Sequence, residues 1–64
     1  MADKLTVKQW RQLRGLTQKQ LADKAGIKFS TYHAKECGYR GWKAVEIKNI
    51  ASALGISVEN QLDY

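Results

Sequence analysis

Few residues in this chain could carry chemistry on their own. It has one histidine, His33, one cysteine, Cys37, and six acidic residues against eleven lysines and arginines in 64 positions. A single histidine makes no metal site, and a single cysteine excludes both an intramolecular disulfide and a Cys-rich zinc site. No serine or cysteine stands with His33 and an acid in a nucleophilic arrangement. Neither a phosphate-binding loop nor a metal-ligand spacing is written in the sequence. Catalysis is therefore the least supported class, and no cofactor or metal is expected. What remains is charge. A formal net charge of +5 suits a polyanion, either nucleic acid or an acidic membrane surface, although it could simply keep a small domain dissolved. Placement says more than the total, because the only acid between Lys24 and Lys43 is Glu36.

Charge acts only where a scaffold holds it, and the stretch Thr17-Gln18-Lys19-Gln20-Leu21-Ala22-Asp23-Lys24-Ala25-Gly26 describes one. Thr17 can cap a helix while Gln20 reaches back to complete a capping box. Gly26 can take the left-handed conformation that ends it. Ile27 re-enters the core and a second helix follows from Phe29. Two short helices joined by a tight turn containing glycine form a helix-turn-helix unit. In a small basic protein that unit most often holds one helix in the DNA major groove.

The remaining elements follow from the same signals. Thr6 and Gln9 form another capping box, with Val7, Trp10 and Leu13 at helical spacing. This predicts helix one over Thr6–Arg14, closed by Gly15. Helix two spans Gln18–Ala25 and helix three Phe29–Cys37, closed by Gly38. After the loop Tyr39-Arg40-Gly41-Trp42, an apolar stripe of Ala44, Ile47, Ile50, Ala51 and Leu54 defines helix four, ended by Gly55. Ser57 can cap a short helix five that buries Val58 and Leu62. No segment alternates with period two, so the fold class is all-α. At this length the chain forms one domain, residues 1–64, with a thin core. Its 44% hydrophobic content sets it apart from a disordered tail, and no proline interrupts its helices. It carries no apolar run near the ~20 residues a membrane span needs. The start Met1-Ala2-Asp3-Lys4 is unlike a secretory signal, so a cytoplasmic location is expected.

With these pieces in place the chain resembles the Cro/C1-type (XRE-like) helix-turn-helix family of phage repressors and bacterial regulators. The resemblance rests on Arg11, Leu16-Thr17-Gln18, Leu21-Ala22, Gly26, Glu36, Gly38, Ile47, Ile50-Ala51 and Leu54-Gly55-Ile56. Their spacing fits without insertions from Arg11 to about Leu62. It implies a compact five-helix, lambda-repressor-like DNA-binding domain that controls transcription at a short double-stranded operator. Helix two would cross the DNA backbone and helix three would enter the major groove. Gln18 would sit at the N-terminus of helix two, where its amide and the free N–H groups can hold a phosphate. Lys28, Phe29, Ser30, His33 and Ala34 would face DNA, with Tyr39, Arg40 and Lys43 against the flanking backbone. Arg11 and Glu36 would pair, tying helix one to the end of helix three. That pair is either a bidentate, partly buried structural tie or an exposed one worth ~0–1 kcal/mol.

Five positions depart from the family pattern. Tyr32 and Lys35 stand where aliphatic residues are usual. Tyr32 can fill the space if its hydroxyl finds a partner, and Lys35 can bury its stem and lift its ammonium out. Lys28 replaces a small polar cap, Trp42 a proline, and Phe29 a long polar reader such as glutamine. Phe29 could pack on a thymine methyl, or fold back over Ile27, or serve a protein partner. His33 could bond a phosphate or a guanine edge, or stand idle. Lys28, Lys35, Arg40 and Lys43 would meet phosphates or form a solvated charged face, whereas Arg14 and Lys48 would be solvated. Trp10 belongs to the core. Trp42 either staples the loop or lies exposed. Cys37, at a helix C-terminus that disfavours a thiolate, is packing or idle surface. One such module makes few base contacts, so a homodimer on a pseudo-palindrome is expected, weak or DNA-dependent. The alternative is a protein-interaction module on the same fold: an antitoxin, antirepressor or partner subunit.

Overall fold

Five helices account for the regular structure of the computed structural model, which describes residues 4–38 and 40–63. They are α1 (Val7–Leu13), α2 (Gln18–Ala25), α3 (Phe29–Glu36), α4 (Ala44–Leu54) and α5 (Val58–Gln61). Two of them begin on reciprocal capping boxes. Thr6 Oγ1 accepts from the Gln9 N–H at 3.2 Å while Gln9 Oε1 accepts from the Thr6 N–H at 2.9 Å. Thr17 and Gln20 repeat the exchange at 3.0 and 2.8 Å. Each box satisfies donors that a helix start otherwise leaves unpaired. Gly26 (φ +69°) and Gly55 (φ +72°) end α2 and α4 in the left-handed region, which a side chain would strain. After each, the chain folds straight back: the Ile27 N–H donates to Ala22 O at 2.9 Å and the Ile56 N–H to Ala51 O at 3.0 Å.

α2 lies across α4 and against α3, and α4 also meets α1 and α5. The core forms where these surfaces converge: Val7 and Trp10 from α1, Leu21, Ala22 and Ala25 from α2, Tyr32 from α3, and Ile47, Ile50, Ala51 and Leu54 from α4. Leu62 closes it from beyond α5. Tyr32, Leu21, Ile47, Ile50 and Leu62 are the largest side chains fully removed from water. Trp10 is buried as expected, and its indole N–H donates to Gln61 O at 2.6 Å, fastening α1 to α5. A pairing that periodicity could not announce joins the ends of the described chain. Leu5 bridges Leu62 in parallel, its N–H donating to Gln61 O at 3.1 Å and its carbonyl accepting from the Asp63 N–H at 2.9 Å.

Some expectations are corrected or completed. Ala44, placed on the apolar stripe of α4, is exposed. Leu13 is 64% exposed and belongs to no core face. Val7 and Leu13 are six residues apart, so at 100° per residue they point about 120° away from each other. Arg14 is exposed, as expected, but it also has partners. Its Nε donates to Leu54 O at 3.1 Å and its guanidinium lies 5.3 Å over the Trp10 ring. A cation thus rests on an aromatic face and on one of the carbonyls at the end of α4. Lys35 does not lift its ammonium into water. It is buried, and its Nζ is paired with Glu46 of α4. The Glu46 carboxylate also accepts from the Lys43 N–H at 2.9 Å, at the start of that helix. Burial pushes the Glu46 carboxyl up, but the hydrogen bonds from Lys35 and the Lys43 backbone outweigh this and hold it below the usual range.

Candidate nucleic-acid interface

The two faces of α3 differ sharply. Tyr32 and Lys35 point inward and are buried, and the Glu36 side chain is turned inward beside them. Phe29, Ser30, His33 and Cys37 lie on the outer face and are exposed, and Ala34 is half-buried at its margin. Positions 29, 33 and 37 recur every fourth residue, which is one stripe of an α-helix. Phe29 keeps 47% of its surface in solvent, and its ring stands 6.1 Å from that of His33 at a tilt of 33°. Lys28 precedes the helix without a side-chain cap. Lys28, Arg40 and Lys43 are exposed. Tyr39 lies outside the described residues.

The orientation of that stripe is set from behind by Glu36. Arg11 of α1 meets its carboxylate in a two-pronged contact: Nε to Oε2 and Nη2 to Oε1, both at 3.0 Å. The third arm of the guanidinium, Nη1, donates to Leu16 O at 2.8 Å. From α2, Gln18 Nε2 donates to Oε1 at 3.0 Å. The Tyr32 hydroxyl donates to Oε2. Side-chain exposure is 13% for Arg11 and 3% for Glu36, so this is a buried ion pair and not a solvated surface one. Burial pushes the Glu36 carboxyl up. The hydrogen bonds from Arg11, Tyr32 and Gln18 together win, and hold it below the ordinary carboxylate range. The same contact raises the Arg11 pKa, while burial and then the neighbouring carboxylate raise that of Tyr32. The carboxylate thus joins α1, α2 and α3 at one point. The tyrosine that replaces an aliphatic residue has its hydroxyl satisfied there, and the Trp42 ring packs on it with 5.6 Å between ring centres. Trp42 is half-buried and staples the loop before α4.

Two features of the site had no marker in the sequence. Gln18 holds Glu36 with one end of its amide, and its other end, Oε1, lies 3.1 Å from His33 Nδ1. Nothing in the spacing of positions 18, 33 and 36 announces that link, because it crosses between helices. The burial of Lys35 had a faint signal: a charge at an inward position of α3, matched by Glu46 near the start of α4. Among the described residues no group of three metal-ligating side chains converges. No helix there is long and apolar enough to cross a membrane.

A short helix, a glycine turn and a second helix with an outward stripe on a helical scaffold define a helix-turn-helix domain. Comparison with known proteins agrees: a helix-turn-helix family model matches residues 7–60. The chain belongs to the Cro/C1-type (XRE-like) helix-turn-helix family, whose members are DNA-binding regulators of transcription. No curated protein and no solved structure matches it significantly.

Proposed function

We propose that this protein is a sequence-specific regulator of transcription, repressor-like, that places α3 in the major groove of a double-stranded operator in the cytoplasm. The observation that supports this reading is the division of α3. Tyr32, Lys35 and Glu36 are consumed inside, while Phe29, Ser30 and His33 are exposed, as are the cations Lys28, Arg40 and Lys43. Ser30 and Phe29 are placed to meet base edges and thymine methyls, with Ala34 at the margin of that contact. Lys28, Arg40 and Lys43 would neutralise phosphates. Since one amide proton of Gln18 serves Glu36, its hold on a phosphate would fall to the second proton and to the free N–H groups of the first turn of α2. Specificity would come from two copies on a pseudo-palindrome, half-sites about 34 Å apart, in a dimer that is weak or forms on DNA.

The decisive experiment is selection of bound sites from a random duplex pool. A single enriched, palindromic sequence is expected, and Ser30→Ala should change the preferred base at one position in each half-site. The exposed Phe29 also supports a protein-interaction module. A selection that enriches nothing, with binding indifferent to salt, would favour that second reading and overturn the first.

A further inference from the structure

The polar chain behind α3 has a direction, and that direction fixes a proton. Glu36, paired with Arg11, offers only acceptors. Gln18 must therefore turn its NH2 end toward Glu36, which leaves its oxygen facing His33 at 3.1 Å. An amide oxygen only accepts, so His33 Nδ1 must carry hydrogen. A neutral imidazole has one N–H, and when it sits on Nδ1 the opposite nitrogen, Nε2, is a bare acceptor. The Cys37 sulfur stands 3.7 Å from Nε2 and 3.9 Å from Nδ1. Being almost equidistant, it lies alongside the ring and does not address the lone pair of either nitrogen. The ring itself is exposed on the outer stripe, beside Phe29.

We infer that Gln18 locks His33 in the Nδ1–H form, so that His33 reads a hydrogen-bond donor on DNA: the exocyclic amine of cytosine or adenine in the major groove. This rests on the DNA-binding reading above, and it replaces the guanine edge that the sequence suggested for His33. Guanine presents only acceptors there, N7 and O6, which a bare Nε2 repels. Cytosine N4 and adenine N6 present N–H donors. Gln18 is then a positioning residue that specifies a base without touching it.

Two measurements test the proposal. Nitrogen-15 spectra of the free protein, with couplings between ring protons and ring nitrogens, identify the protonated nitrogen of neutral His33. Nδ1–H is expected in the wild type, and a mixture of both forms in Gln18→Leu. A wild-type Nε2–H form would overturn the lock, whatever the protein does with DNA. In the second measurement, relative affinities for duplexes varied at each operator position are compared. His33→Ala should lose a preference of about five- to tenfold for an amine-bearing base at one position, the size of one hydrogen bond. Gln18→Leu should relax the same position, and the double variant should add little to either. If His33→Ala weakens all sequences alike, the residue meets phosphate and the base-reading role is overturned. If the protein binds no DNA while Nδ1–H is found, the DNA-binding reading fails and the lock alone stands.

Discussion

Glu36→Ala is expected to lower the melting temperature by at least about 12 °C and to leave much of the protein unfolded near 37 °C. The substitution strands three donors at once: the Arg11 guanidinium, the Gln18 amide and the Tyr32 hydroxyl. Breaking a buried ion pair from one side costs about 3–5 kcal/mol, and a domain of this size has a total stability of roughly 3–10 kcal/mol. Each kcal/mol shifts the midpoint of so small a domain by about 4–8 °C. Arg11→Ala should cost less, because Glu36 keeps two donors. Thermal denaturation followed by circular dichroism decides the matter. A loss below about 1 kcal/mol would rank the junction with exposed ion pairs. The same carboxylate sets the acid limit. Its pKa, like that of Glu46, is lower in the folded protein than in the unfolded chain. The unfolded chain therefore takes up protons first as pH falls. The stabilisation is whole above the unfolded value near about 4.3 and is lost as pH drops through the folded one. Stability should be flat from pH 7 to about 5 and fall steeply below, and Glu36→Gln should make that fall shallower.

The second large effect concerns DNA and not folding. The triple variant Lys28→Ala, Arg40→Ala, Lys43→Ala should leave the melting temperature nearly unchanged, since all three residues are exposed and such substitutions usually cost no more than about 0.5 kcal/mol. Binding should weaken for every sequence alike. If all three meet phosphates, the slope of log affinity against log salt concentration should fall by up to about 2.7, near 0.9 per contact. Fluorescence anisotropy across a salt series measures it. An unchanged slope would show that these cations do not face the duplex.

Local chemistry was legible in the sequence and cross-helix chemistry was not. Both threonine–glutamine boxes and the glycine stops were readable because their partners lie three or four residues away, and the helix limits they imply agree with the structure to within a residue or two. The inward stripe of α4 was readable for the same reason, since helical periodicity alone defines it, except at Ala44, which is exposed at the start of the helix. The family resemblance brought Arg11 to Glu36, but spacing alone could not have. Lys35 was misjudged because its partner sits on another helix, and a buried lysine is acceptable only once Glu46 is placed beside it. Arg14 escaped notice because its acceptor is a backbone carbonyl forty residues away. In the site itself, the family resemblance brought Phe29, Ser30 and His33 to the outer face of α3, where they are exposed. The link from Gln18 to His33, on which the form of the imidazole depends, exists only in three dimensions.

The seam where Leu5 meets Leu62 and Trp10 meets Gln61 has a kinetic consequence. Most other ties in the molecule join neighbouring helices, but this one closes a loop of some fifty residues, and the entropy of closure grows with loop length. The four-residue α5 buries no residue of its own to offset that loss. Although Leu62 and Trp10 are buried there, the seam is expected to open before the helical core, and hydrogen exchange should show the Leu5 and Asp63 amides trading with solvent while those of α2 and α4 are still protected.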